Sequence, residues 1–250
     1  VEERVLLGIF ADIHANRQAF EACLAAARAK GVQQIVCLGD IVGYGADPEW
    51  AVDTVMGLVE GGAIAVRGNH DQAIGTPSGS MNAEAEAAVE WTRARLSPVQ
   101  RRFLADLPLF REEEDRLYVH SEASHPTRWR YVQSASDAAR SMIATEAQIT
   151  FCGHIHQPQL YSMSVTAKMT SFIPVSNVPV PLLKGRQWLA VAGSVGQPRD
   201  GNPAASFVTF DTEKREITYC RVPYDVEAAA ERIRDYGLPV WLADRILVGR

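Results

Sequence analysis

Five clusters of imidazole, carboxylate and amide groups punctuate the sequence: Asp12-Ile13-His14, Gly39-Asp40, Gly68-Asn69-His70-Asp71, His120, and Gly153-His154-Ile155-His156. Imidazole nitrogens and carboxylate oxygens are the donors that suit divalent Zn, Mn or Fe. Taken singly, each cluster has an ordinary structural explanation, since Asp and Gly-Asn recur in turns and caps. Their placement is less ordinary. Five of the six histidines (His14, His70, His120, His154 and His156) closely follow an apolar run, and only His125 does not. Asp12, His14, Asp40, Asn69, His120, His154 and His156 together offer seven ligands. Two ions held side by side need a shared carboxylate and several ligands each, which a set of this size can supply.

Those residues meet only if the elements carrying them converge. Val5 to Phe10 is a continuous apolar run, as a parallel strand buried on both faces requires. It ends at Asp12-Ile13-His14. Asn16 then stands at a cap position, and Phe20, Cys23, Leu24 and Ala27 recur at helical spacing until Gly31. The unit returns as a strand over Gln34 to Leu38, a loop from Gly39 to Gly45 and a helix from Pro48 to Glu60. A third strand over 63–66 ends in the cluster at Gly68. Alternating strands and helices predict right-handed crossovers and a parallel sheet, in which ligands gather beyond the carboxyl ends of the strands.

Asn82 to Leu107 is helical in pattern, with a restart at Ser97-Pro98. Leu117-Tyr118-Val119 predicts a strand ending at His120, residues 136–147 a helix, and Ile149 to Cys152 a strand ending at Gly153. Later runs, Leu160 to Val165, Trp188 to Val191, Ser206 to Phe210 and Ile217 to Val222, predict a second, more antiparallel sheet. Phe172 to Leu183 contains Pro174, Pro179 and Pro181 and is expected as an irregular loop or edge hairpin. Val226 to Tyr236 and Pro239 to Leu247 form amphipathic patterns, a helical tail over about 225–250. With no repeat or linker, residues 1–250 are expected to form a single domain.

Composition narrows the function classes. At 250 residues, 47% hydrophobic and 22% charged, the chain has the balance of an ordinary globular protein. A formal charge of -5 argues against general nucleic-acid binding. Cys23, Cys37, Cys152 and Cys220 form no C-x-x-C pair, so neither a zinc knuckle nor a redox motif is expected, and a reducing cytoplasm is the expected setting. No apolar stretch approaches the roughly 18 residues of a membrane span.

The ordered clusters resemble the motif set of the calcineurin-like metallophosphoesterases, D-x-H, G-D, G-N-H-[DE], H and G-H-x-H. All five blocks are present, between residues 12 and 156. Gly39 to Gly45 and Gly193 to Pro203 are similar to the bacterial small phosphodiesterase branch that includes asymmetrical diadenosine tetraphosphate hydrolases. Two departures are Ser121 after His120, where relatives commonly have glycine, and Val191-Ala192 before Gly193, where they often have Asn-Pro. The resemblance implies a four-layer α/β/β/α sandwich, two mixed sheets flanked by helices. It also implies two divalent ions (Mn2+, Fe2+/Fe3+ or Zn2+), one held by Asp12, His14 and His156, the other by Asn69, His120 and His154, with Asp40 bridging.

The implied activity is hydrolysis of a phosphate ester, by a water that both ions activate for in-line attack on phosphorus. A phosphodiesterase or dinucleoside polyphosphate hydrolase is the first expectation, acting on a small phosphorylated substrate such as a nucleotide. His70 is then expected to protonate the leaving oxygen, with Asp71 orienting its ring and favouring the imidazolium, or capping the following helix. Arg199 is expected either to fork onto phosphate or to pair with Asp200. Arg128 and Arg130, beside Trp129, would line a base-stacking pocket or remain solvated. Tyr44 would border the substrate or pack its own loop. Two rivals are a phosphoprotein or phosphomonoester phosphatase with the same metals, and a catalytically silent protein-binding scaffold on the same fold. The complete ligand set and His70 argue against the scaffold.

Overall fold

The computed structural model describes residues 4–76 and 83–250. Its first half repeats the predicted unit: β1 (Leu6–Phe10), α1 (Arg17–Ala29), β2 (Gln34–Cys37), α2 (Pro48–Glu60), β3 (Ile64–Ala65) and α3 (Asn69–Gly75). The Asn16 side chain accepts from Ala19 N at 3.1 Å and starts α1, which buries Phe20, Cys23 and Leu24. Asn82 lies outside the described residues; α4 (Ala83–Arg95) and α5 (Pro98–Asp106) follow, and a Ser97–Gln100 capping box opens α5.

A hairpin of β4 (Phe110–Glu113) and β5 (Arg116–Val119) comes next. Its first strand is largely exposed and has no apolar alternation, so the sequence reading missed it. A 3-10 turn (Pro126–Arg128), α6 (Ala135–Ile143), β6 (Ile149–Cys152), β7 (Pro158–Ser164), β8 (Met169–Phe172), β9 (Val180–Pro181), β10 (Arg186–Ala192), β11 (Ala205–Asp211) and β12 (Glu216–Val222) lead to α7 (Val226–Asp235) and α8 (Val240–Val248). The helix expected over 136–147 therefore ends early, at Ile143.

Two mixed sheets result, ordered β3-β2-β1-β11-β12-β9 and β4-β5-β6-β10-β7-β8. This corrects the expected division of strands. The runs at 206–210 and 217–222 return to the first sheet, while the strands ending at His120 and Gly153 belong to the second. β1 has β2 along one edge only, and its other edge carries buried backbone groups that need partners. β11, buried along its whole length, supplies them in antiparallel register, Leu6 opposite Asp211 and Ile9 opposite Val208. The segment 172–183 takes the irregular-loop alternative of its two expected forms: β8 edges the second sheet and β9 the first, and the chain crosses between them through an irregular loop over 173–179.

Side-chain alternation builds the layers. Leu7 and Ile9 of β1, Phe151 of β6, Trp188 and Ala190 of β10 and Phe210 of β11 fill the space between the sheets. On the outer side of the first sheet, Phe10 stacks on Phe207 at 5.1 Å and meets Phe20 of α1 edge-on. Leu189 and Val191 of β10 face Ala138 and Met142 of α6 on the far side of the second. The four-layer α/β/β/α arrangement is thus the one expected. All four cysteines are free and buried.

Candidate metal centre

The carboxyl ends of β1, β2, β5 and β6 and the start of α3 converge where the two sheets meet. Backbone bonds fasten the loops together: Asp12 N donates to Gly39 O at 3.1 Å, His14 N to Asp40 O at 2.9 Å, and Gly153 N to His120 O at 2.9 Å. Asp12, His14, Asp40, His154 and His156 all adopt left-handed backbone, with φ between 49° and 70°. Each such residue costs about 1–3 kcal/mol unless its surroundings enforce it, and such strain gathers at functional sites. The loops approach so closely that a Cβ on Gly68 would lie 2.1 Å from Asp40 Oδ1.

Two groups of potential ligand atoms share Asp40. Asp12, His14, Asp40 and His156 form one; Asp40, His120 and His154 form the other, and within each the donor atoms lie within 4.8 Å of one another. Asn69 Oδ1 joins the second, 3.1 Å from His120 Nε2. All six charged or imidazole-bearing members are buried.

The histidine hydrogen bonds test whether a cation fits. His14 Nδ1 meets Val42 O at 3.1 Å, His120 Nδ1 meets Leu38 O at 2.7 Å, His156 Nδ1 meets Gln197 O at 2.7 Å, and His154 Nε2 meets Trp129 O at 2.7 Å. A carbonyl only accepts, so the outward nitrogen of each ring carries the proton and the inward one is free to present a lone pair. Inward nitrogens then face each other at 3.1 Å, His14 Nε2 to His156 Nε2 and His120 Nε2 to His154 Nδ1. Facing lone pairs repel unless a cation or proton stands between them, and this donor set fits a divalent metal site.

The electrostatics agree at three of the four rings, whereas Asp12 and His120 are drawn towards their protonated forms. Burial holds His14 and His156 well below the usual imidazole range and His154 down to about 3, which keeps them neutral and ligating. Burial likewise pushes Asp12 up to about 7. At Asp40, burial is outweighed by the charges of His120 and His70, so its carboxyl lies well below its ordinary value. Burial would lower His120, but Asp40 pulls it above its usual range.

His70 lies beside this cluster. Its ring centroid is 5.0 Å from that of His14 and 4.5 Å from that of Tyr44, and its backbone N donates to Asp40 Oδ1 at 2.8 Å. Its Nδ1 is buried without a partner against Gly43, where a Cβ would lie 2.5 Å away. The expected contact from Asp71 to this ring is not made. Asp71 Oδ2 accepts from Gly68 N at 3.0 Å, and Oδ1 accepts from Ile41 N at 2.9 Å and Val42 N at 3.3 Å. Neighbours in a helix point in different directions, so the carboxylate caps α3 and braces the loop after Asp40. Nor is the imidazolium favoured: burial lowers the His70 pKa.

Of the expected substrate contacts, Tyr44 and Arg199 are at the cluster. The Tyr44 ring is 4.5 Å from His14, and the Arg199 guanidinium is 5.6 Å from the Tyr44 ring. Arg199 does not pair with Asp200, which pairs with Arg221; it donates to Gln197 Oε1 at 2.8 Å. Arg128 is exposed, with no side-chain hydrogen bond or ion pair among the described residues, as in the solvated alternative, and Arg130 lies 3.9 Å from Glu122. Tyr131, which no sequence motif marks, stacks its ring on His154 at 4.4 Å while 45% exposed. No spacing rule singles out an aromatic in that loop.

Comparisons with known proteins agree with this geometry. The sequence model of the calcineurin-like phosphoesterase superfamily domain matches residues 5–215. An uncharacterized protein of Methanocaldococcus jannaschii is 32% identical over 253 residues, covering 98% of each chain. The crystal structure of a metallophosphoesterase from Sphaerobacter thermophilus superposes with a TM-score of 0.87 at 32% identity, over 99% of this chain and 100% of that one. A hypothetical protein from Pyrococcus horikoshii shares the fold, with a TM-score of 0.78 at 20% identity over 98% and 99% of the two chains.

Proposed function

The chain belongs to the calcineurin-like phosphoesterase superfamily and is a metal-dependent phosphoesterase, and from that premise we propose that it cleaves a phosphodiester or phosphoanhydride link in a small phosphorylated substrate such as a nucleotide. The observation that carries this reading is the paired donor set joined by Asp40, with His70 beside it. In this reading Asp12, His14 and His156 would hold one divalent ion and Asn69, His120 and His154 a second, with Asp40 available to both groups. Bound there, such ions neutralise phosphoryl oxygens and acidify water.

The protein's own groups do the rest. Left-handed backbone at Asp12, His14 and Asp40 aims their side chains inward, and four backbone carbonyls fix the histidine tautomers. His70 Nδ1 is packed on Gly43, which leaves Nε2 to donate to the leaving oxygen. Asp71 is a positioning residue, holding the loop that carries Asp40 against the start of α3.

Asp40→Asn should abolish hydrolysis of bis(p-nitrophenyl) phosphate and lower the metal content read by elemental analysis; retention of both sinks the shared-carboxylate assignment. His70→Ala should keep the metal and slow turnover by about 10²–10⁴-fold. A panel of monoesters, diesters and dinucleoside polyphosphates separates the proposed substrate class from a monoester phosphatase.

A further inference from the structure

One loop grips His154 twice. The His154 Nε2 donates to Trp129 O at 2.7 Å, and the Tyr131 ring lies over the His154 ring, centroids 4.4 Å apart and planes 24° from parallel. Contacts alternate along this stretch: residues 129 and 131 meet His154, whereas Arg130 reaches Glu122 at 3.9 Å and Val132 is buried in the apolar cluster with Ala138 and Met142 of α6. Glu122 is itself buried and also takes Arg140 of α6 at 3.4 Å and Ser124 Oγ at 2.7 Å. The 3-10 turn before Trp129 closes with Arg128 N donating to His125 O at 2.9 Å, and Trp129 takes left-handed backbone, φ 50°. Anchors on both sides of Tyr131 therefore fix where its ring stands.

Held in this way, the ring is still 45% exposed, while the His154 ring against it belongs to a residue only 7% exposed. An aromatic ring has two faces. His154 covers one, and among the described residues no other ring or cation stacks on Tyr131, so the exposed area is the opposite face and the rim. On the other side of the cluster Tyr44 packs on His14 and His70, both at 4.5 Å, and is half-buried. The open aromatic face thus lies on the His154 side. A rigid apolar face kept in water beside a buried polar cluster suits a ligand that carries both an anion and a flat ring.

We infer that Tyr131 is a specificity-determining residue, its open face stacking on a nucleobase of the substrate while the phosphate occupies the metal centre. Every base has a π-face, and a tyrosine ring offers it a large surface with little side-chain freedom to lose. One imidazole separates the Tyr131 ring from the donor atoms, and one ribose separates a base from its 5′-phosphate, so both ends of a nucleotide can be held at once. The inference deepens the phosphoesterase reading and rests on it.

The test is calorimetric titration of the metal-loaded protein with AMP and with ribose 5-phosphate, which share the phosphate and the sugar and differ by the base. The unmodified protein should bind AMP about 5- to 100-fold tighter than ribose 5-phosphate. Tyr131→Ala should collapse that ratio towards one, and Tyr131→Phe should keep it. If Tyr131 only steadies His154, removing the ring weakens the hold on the phosphate of both ligands by the same factor and leaves the ratio unmoved. That result, or no preference for AMP in the unmodified protein, overturns the inference; a ratio lost equally in Tyr131→Phe assigns the preference to the hydroxyl and overturns stacking. Hydrolysis of phosphate esters with an unmoved ratio defeats the base platform alone. A ratio that collapses in Tyr131→Ala, in a protein without hydrolytic activity, supports the platform and defeats the hydrolytic reading.

Discussion

His70 occupies a seat made by an absent side chain. Gly43 has φ +93°, and a Cβ there would stand 2.5 Å from His70 Nδ1. Gly43→Ala therefore strains the backbone by about 1–2 kcal/mol and forces the ring to move. Displacing a catalytic group by about 1 Å can cost about 10²-fold in rate, so turnover should fall by that order while elemental analysis still finds the metal. Equal turnover in the variant would mean that the position of this ring does not matter to catalysis. At this scale the residue types were legible in the sequence: amide, imidazole and carboxylate follow one another in Asn69-His70-Asp71. The partners were not. Adjacency suggested that Asp71 serves His70, but the turn of α3 sends the carboxylate back to Gly68 and across to Ile41 and Val42, residues about thirty positions away. The four carbonyls that fix the histidine tautomers left no side-chain signal at all.

Strand ends could be placed from apolar runs alone, because a run buried on both faces stops where the chain leaves the sheet. Which strands share a sheet could not, since that depends on the unfilled edge of β1, and a run at 205–211 gives no local sign of which edge it will meet. Helix starts were easier to read where a cap stood beside an apolar pattern, as at Asn16 and at Ser97-Pro98; the cap of α6 was not picked out. Ser134 opens α6, and Asp137 in its first turn accepts from Ser134 Oγ at 2.7 Å and from Arg140 Nη2 at 3.0 Å. The Ser134 hydroxyl, with help from Arg140, holds the Asp137 carboxyl below its ordinary 3.8 against partial burial. A carboxyl lowered in the folded state stabilises above its unfolded value, and the benefit is lost as pH falls through the folded one. Asp137→Asn should accordingly lower Tm at neutral pH, and the gap to the unmodified protein should close in acid below that range. A gap independent of pH would assign the effect to packing.

At the scale of the molecule, the reading of residues 1–250 as a single domain depends on whether the tail melts with the sandwich. α7 and α8 pack Ala230, Ile233, Leu242 and Ile246 against Ala46 and Ala88, and Arg232 pairs with the buried Asp47 beside the start of α2. These contacts touch the same loop that presents Tyr44 to the metal centre, so the tail cannot peel away without loosening the site. The molecule should therefore unfold in one cooperative step, with tryptophan fluorescence, which includes Trp241 of α8, coinciding with far-UV circular dichroism across a denaturant series. Metal links to this same transition, because a ligand bound only by the folded state stabilises by RT ln(1 + [L]/Kd), about 2.7 kcal/mol at a hundredfold excess over Kd. Adding a chelator should lower the midpoint of both signals together, and Asp40→Asn should remove most of that dependence. If a variant that keeps Trp241 alone, with Trp50, Trp91, Trp129 and Trp188 replaced by Phe, holds a fixed fluorescence midpoint while the circular dichroism midpoint shifts with chelator, the tail and the sandwich are separate folding units.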